Sequence, residues 1–174
     1  MPASAVIRNP AAGAAIVIAI VGAAAILGAF FFQYWLGLEP CPLCLEQRIA
    51  YYFAIPLALI VAFADSRAAP RALVAAALVL IALAMLLNAG LGVYHAGVEW
   101  KFWPGPTDCA GPVTSLGRAS DLMRQLRNVT IVRCDEAAWR FLGLSLAGYN
   151  VLISLALAAI AIWGMLGTRR SPNA

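Results

Sequence analysis

The stretch Cys41-Pro42-Leu43-Cys44-Leu45-Glu46-Gln47-Arg48 stands where one long apolar run ends and another begins. Two cysteines with two residues between them close so short a loop that a disulfide there removes little chain entropy and is a weak staple. That spacing suits a bond that is made and broken. A cysteine at a helix start has its pKa lowered by the unpaired backbone N–H groups, and the thiolate is the reactive form. Cys44 and Arg48 are four apart, so on a helix they share a face, with a cation beside the sulfur.

The flanking composition decides where this chemistry happens. Of 174 residues, 63% are hydrophobic and 11% charged, more apolar surface than a soluble domain of this size can hide. The chain therefore belongs to the membrane class, and a lipid bilayer is its first partner. Net charge is +4, but the basic residues are spread thinly and no basic run is interleaved with aromatics, so no nucleic acid is expected. The four cysteines form a close pair, Cys41 and Cys44, and a distant pair, Cys109 and Cys134. Paired cysteines outside a zinc pattern imply an oxidising compartment.

The expected fold is all-α: an integral membrane four-helix bundle with one long outer loop carrying a short amphipathic helix. Transmembrane helices are predicted over about 11–36, 45–64, 72–93 and 141–166, each near the roughly 20 residues a span needs. The first run rivals a cleaved signal peptide, but it outlasts an h-region and continues into Phe30-Phe31-Phe32 and Tyr34-Trp35, an interfacial aromatic belt. Pro56 is expected to kink the second helix. Gln33 and Asn88, polar residues within apolar runs, read as interhelical hydrogen-bonding groups. Within the loop over 94–140, Ser115 to Arg127 has helical periodicity, which fits an amphipathic helix on the membrane or an ordinary surface helix packed on its own loop.

Four spans put both termini on one side and residues 37–44 and 94–140 together on the other, so all four cysteines face one compartment. Arginines at 8, 67, 71, 169 and 170 on the terminus side face six basic residues in the long loop, so raw count does not decide the orientation. By density the 65–71 connector favours termini inside, and stable disulfides belong outside the cytoplasm. Residues 1–10, 65–71 and 167–174 are then cytoplasmic.

Several chemistries compete for the cysteines. A zinc site usually draws on two close cysteine pairs, whereas Cys109 and Cys134 are far apart and His95 lies at no typical ligand spacing, so no metal is expected. A purely structural pair of disulfides in a four-span scaffold accounts for Cys109 and Cys134 but poorly for Cys41 and Cys44. The remaining reading is an electron relay, in which a thiolate of one pair attacks the disulfide of the other. Cys109, after Pro104-Gly105-Pro106-Thr107-Asp108, is placed to meet a soluble partner, and Cys134 to swing toward Cys41. With no haem, flavin or iron–sulfur motif in the chain, a lipid-soluble quinone is the acceptor available at the bilayer edge. Arg48 can stabilise both the Cys44 thiolate and a reduced quinone oxygen; its alternative is to snorkel to the interface. His95 either hydrogen-bonds a quinone carbonyl or serves as a polar anchor.

Glu39-Pro40-Cys41-Pro42-Leu43-Cys44 with Gln47-Arg48, then Tyr94-His95-Ala96-Gly97-Val98-Glu99-Trp100, Phe102-Trp103-Pro104-Gly105-Pro106 ahead of Cys109, and Cys134 followed by Trp139 and Phe141-Leu142-Gly143 together resemble the disulfide bond formation protein B (DsbB) family, from about residue 10 to 166. The resemblance implies a multi-pass protein of the bacterial cell inner membrane, with periplasmic cysteine loops and cytoplasmic termini. It implies a protein-disulfide oxidoreductase that reoxidises a periplasmic DsbA-like thioredoxin-fold oxidase, with ubiquinone or menaquinone as electron acceptor. By the same resemblance Cys109 is attacked by the partner's thiol, Cys134 exchanges with Cys41, Cys44 contacts quinone beside Arg48, and His95 is the histidine near the quinone pocket. Some members carry an acid next to the arginine; here Gln47 holds that place and the acid falls at Glu46. The nearest enzymatic rival is a reductase of the vitamin K epoxide reductase type, which uses a C-x-x-C pair and a quinone in the opposite direction. In intact cells, a thiol reagent that cannot cross the membrane is expected to label Cys109 after reduction; protection of Cys109 until the membrane is opened overturns the topology.

Overall fold

Only Arg67 to Pro70 separate the second long helix from the third, so the two must run antiparallel. The computed structural model of the chain describes residues 10–106 and 134–170. Four of its helices are long and apolar enough to cross a membrane. Helix α1 spans Pro10–Phe30 and passes into a π-helical segment, Phe31–Trp35. Helices α2, α3 and α4 span Pro42–Ser66, Arg71–Glu99 and Leu146–Arg170. They pack in a ring, α1 against α2 and α4, and α3 against α2 and α4. Between α3 and α4 a two-stranded antiparallel hairpin pairs β1 (Arg140–Phe141) with β2 (Leu144–Ser145).

The bundle is inside-out relative to a soluble protein. Ile20, Leu27, Ile60, Phe63, Leu73, Leu87 and Trp163 are exposed, while much of the buried face of α1 is Ala11, Ala12, Ala14, Ala15 and Ala19. With lipid outside, helices gain nothing from hiding Leu, so association rests on close approach of small residues and on interhelical hydrogen bonds. Gly164 illustrates the first: a Cβ there would lie 2.6 Å from Cβ of Ala14. Asn88 illustrates the second, donating from Nδ2 to Ser154 Oγ at 2.9 Å and to Asn150 Oδ1 at 3.2 Å. Gln33 likewise accepts from the Arg48 guanidinium at 2.7 Å.

The element boundaries depart from the sequence expectation, and each departure moves the site. Helix α1 does not run as an α-helix to Leu36; Leu36 N–H bonds back five residues to Phe31 O, and this wider turn carries Gln33. Helix α2 starts at Pro42 rather than Leu45, because Cys41 caps it and Pro42 fills a first-turn position where no N–H is needed. Cys44 thus lies in a helix instead of a loop over 37–44. Pro56 sits inside α2 without ending it. Helix α3 continues past Val93 to Glu99, which makes His95 helical. Helix α4 begins at Leu146 rather than 141: Leu142 and Gly143 both have positive φ, the two-residue turn that fits a hairpin's twist, and Ser145 Oγ then accepts from Gly148 N–H at 3.2 Å as an N-cap. The proposed amphipathic helix over 115–127, and Cys109, lie outside the described residues.

The α1–α4 approach gives a direct test. Gly164→Val is expected to cost about 1–3 kcal/mol by overpacking, read as a lower thermal midpoint in detergent. Gly13→Ala, where a Cβ meets nothing within 4 Å, is expected to leave the midpoint unchanged or raise it.

Candidate active site

Alternation of direction along the chain brings four helix ends together: the last turns of α1 and α3 and the first turns of α2 and α4. Cys41 sits at the N-cap of α2, where its sulfur accepts the Cys44 backbone N–H at 3.3 Å. The sulfurs of Cys41 and Cys44, both free thiols, are 2.9 Å apart. From the end of α3, His95 Nε2 approaches Cys41 Sγ to 3.6 Å. Cys41 and His95 are only 4% and 3% exposed. Glu99, one turn beyond His95, places Oε1 3.8 Å from the same nitrogen, and among the described residues its Oε2 has no hydrogen-bond partner.

The two cysteines of the pair differ in their surroundings. Cys41 packs in a small buried cluster with Leu43, Val98 and Cys134, and Cys134 is itself disulfide-bonded. Cys44 packs against the edge of this cluster and also lines a cavity of about 590 Å³ between α1, α2 and α4. The cavity is mostly apolar, bounded by Ala24, Ala25, Gly28 and Ala29 of α1 and by Phe32, Trp139 and Phe141. Its polar lining includes Cys44, Gln47, Arg48, Tyr51, His95 and Asn150. Volume and lining are those of a small-ligand site: a largely apolar hollow with a few orienting polar groups. Arg48 is held there from both sides, its guanidinium donating to Gln33 Oε1 and lying 5.4 Å from the centre of the Phe30 ring.

Against this geometry, the chain was compared with known proteins. The family model described as "Disulfide bond formation protein DsbB" matches residues 11–164. The chain belongs to the DsbB family. Relatives called "Disulfide bond formation protein B" include that of Xanthomonas oryzae pv. oryzae (strain MAFF 311018), 33% identical over 145 residues, 82% of this chain and 83% of the relative. That of Xylella fastidiosa (strain Temecula1 / ATCC 700964) is 31% identical over 148 residues, 83% and 84% of the two chains. That of Azoarcus sp. (strain BH72) is 31% identical over 145 residues, 80% and 82%. Family membership gives the chain a role in disulfide formation and a membrane location.

Of the residues singled out from the DsbB pattern, the fold gathers Cys41, Cys44, Arg48 and His95 at one end of the bundle and sets Cys134 against Cys41. Cys109 lies outside the described residues. The spacing argument against a metal kept His95 apart from the cysteines; in the fold the ligand atoms of Cys41, Cys44 and His95 all lie within 4.8 Å of one another. Sequence reasoning left four residues without a part in the site: Gln47, Tyr51, Asn150 and Ser154. Gln47, next to Arg48 in the first turns of α2, is 5% exposed. Each is a polar residue inside an apolar helix, the one signal that could have flagged them.

The Cys41 thiol is pulled well below the ordinary thiol range. The Cys44 thiol, hydrogen-bonded to it, contributes most, followed against burial by the hydrogen bond from His95 and by the Cys44 backbone N–H. A depressed folded pKa favours the thiolate, so the stability it adds is present above the unfolded thiol's pKa, about 8.5. That stability is lost as pH falls through the lowered value. The reduced, quinone-free protein is therefore expected to retain the ultraviolet absorbance of one thiolate at pH 7, vanishing on acidification and absent from Cys41→Ser. Absorbance appearing only above about pH 8 contradicts this reading.

Proposed function

We propose that this DsbB-family chain oxidises a periplasmic, DsbA-like dithiol protein and passes the electrons to membrane quinone. The observation that carries the reading is the placing of the pair: Cys41 shares a buried cluster with a disulfide-bonded Cys134, and Cys44, at the edge of that cluster, also lines an apolar cavity with Arg48 and His95. The cavity's size and lining fit a quinone head, with Arg48 as its polar holder and His95, whose ring nitrogens face Gln47 and Cys41, beside it. When bound, quinone supplies a sink for two electrons and two protons.

The chain's own steps are exchanges of sulfur bonds. A partner thiolate attacks Cys109 of the Cys109–Cys134 bond and releases Cys134 as a thiolate. Cys134 attacks Cys41, which breaks the Cys41–Cys44 bond and leaves the charge on Cys44. The partner's second thiolate then attacks its own sulfur in the mixed disulfide, forming the partner disulfide and releasing Cys109. Cys109 closes on Cys134, and Cys41 leaves as a thiolate while Cys44 takes up a proton from solvent. Two electrons now rest on Cys41 and Cys44. Re-forming the Cys41–Cys44 bond would release them, with the proton of the one thiol and a second drawn from solvent, to a quinone held in the cavity. Arg48 meets the negative charge on both sides of that transfer. This direction of flow puts the cysteine end of the bundle in the periplasm and the termini in the cytoplasm, in the bacterial inner membrane. Ubiquinone and menaquinone both fit the chemistry.

Purified protein mixed with a reduced thioredoxin-fold dithiol protein is expected to form its disulfide only when a quinone is supplied, and Cys44→Ser to abolish turnover. Arg48→Ala is expected to raise KM for quinone roughly tenfold, the scale of one lost charge-assisted hydrogen bond, with KM for the dithiol protein little changed. Equal shifts in both constants displace the pocket from Arg48. Net reduction of the partner's disulfide by added quinol reverses the assignment.

A further inference from the structure

A strip of polar side chains that the sulfur exchanges do not use runs through the bundle interior to the thiol pair. Its anchor is a backbone carbonyl. The Leu43 oxygen can only accept, and the end of the Gln47 amide 3.1 Å away must therefore be the nitrogen, Nε2. The same Nε2 lies 2.8 Å from His95 Nδ1. An amide N–H facing a ring nitrogen requires that nitrogen to accept, so Nδ1 carries no proton and neutral His95 has its hydrogen on Nε2. That is the nitrogen facing Cys41 Sγ at 3.6 Å.

The other end of the Gln47 amide is held as firmly. Its Oε1 accepts from Asn150 Nδ2 at 2.6 Å. Asn150 is oriented in turn by Tyr51 OH, which donates to its Oδ1 at 2.6 Å, and by Asn88 Nδ2, which donates to the same oxygen at 3.2 Å. Asn88 and Tyr51 also reach Ser154 Oγ, at 2.9 and 3.3 Å. Three helices thus supply one directed set of donors and acceptors ending on a single imidazole.

From this the geometry points to Gln47 as a positioning residue: held by the Leu43 carbonyl and Asn150, it keeps the His95 proton on Nε2, so that His95 donates to the Cys41 sulfur while the Cys41–Cys44 bond is opened and re-formed. The inference deepens the reading of the site given above and rests on it for its role in turnover. The same proton occupies the nitrogen that the Cys41, Cys44 and His95 set would need to ligate a metal. Among the described residues, the titratable or charged groups around His95 and Cys41 are Cys44 in α2, Arg48 across the cavity, Glu99 in α3 and, beside Glu99, Arg140 of the hairpin.

His95 is the only histidine in the chain, so ring-15N-histidine labelling of the full-length protein in detergent reports one imidazole. In the reduced protein, without quinone or partner, the expected pattern is a protonated Nε2 and a bare Nδ1. Gln47→Glu turns the donor into an acceptor and is expected to protonate Nδ1. Gln47→Met keeps the volume but removes the donor; both tautomers are expected, with the midpoint of thiolate absorbance raised by about one pH unit, tenfold less thiolate at a given pH below it. Asn88→Leu serves as the structural control: it cuts bonds between α3 and α4 but none at Gln47, and is expected to lower the thermal midpoint while leaving the proton on Nε2. A wild-type ring protonated at Nδ1 overturns the inference, as does an unchanged ring in both Gln47 variants, which would reduce the strip to glue between helices. Failure of the proposed function shows separately, as wild-type protein that forms no disulfide with quinone present.

Discussion

Inside a bundle that faces lipid, a buried polar group can be satisfied only by another helix. The contact between the Gln47 amide and His95 Nδ1 is where that constraint bears most directly on chemistry. It ties α2 to α3 within a turn of the cysteine pair, and the Asn150 amide ties the same glutamine to α4. An unmatched donor or acceptor in such a place costs more than a satisfied bond gains. Every orientation along the strip therefore depends on its neighbours, and the histidine inherits the arrangement. The apolar packing of alanines and glycines holds the helices together; this strip fixes the relative orientation of their side chains at the reactive end.

The sequence carried the architecture because membranes make it legible. Length of apolar run, the connector at 65–71 and the order of the cysteines among four spans lead to a bundle with the cysteine loops at one end, and the i, i+4 spacing of Cys44 and Arg48 is enough to put both on one wall. Gln33 and Asn88 stood out as polar interruptions, and both do join helices. Their partners were another matter. Nothing local says that Gln47 meets Asn150, or that Tyr51 does, since that depends on how far each helix slides and rotates against the next.

Boundaries failed for reasons equally physical. Here a cysteine followed by proline caps the helix in place of the usual serine or aspartate, and no composition rule marks it. The hairpin at 140–145 has strands of two residues, too short for any periodicity, and turns on Leu142, a residue seldom found at positive φ. Helix α3 outruns its apolar stretch because His95 and Glu99 are buried among the other helix ends and leave the water that a polar run would normally signal.

The cavity beside Cys44 owes its space to what α1 omits. Ala24, Ala25, Gly28 and Ala29 present almost no side chain along that wall, while nearer its start α1 is pressed against α4 at Ala14 and Gly164. The two helices are thus pinned at one extremity and spaced at the other, like the legs of a pair of tongs. Widening for a bulky, lipid-borne guest is cheapest at the thiol extremity, where the jaws already stand open.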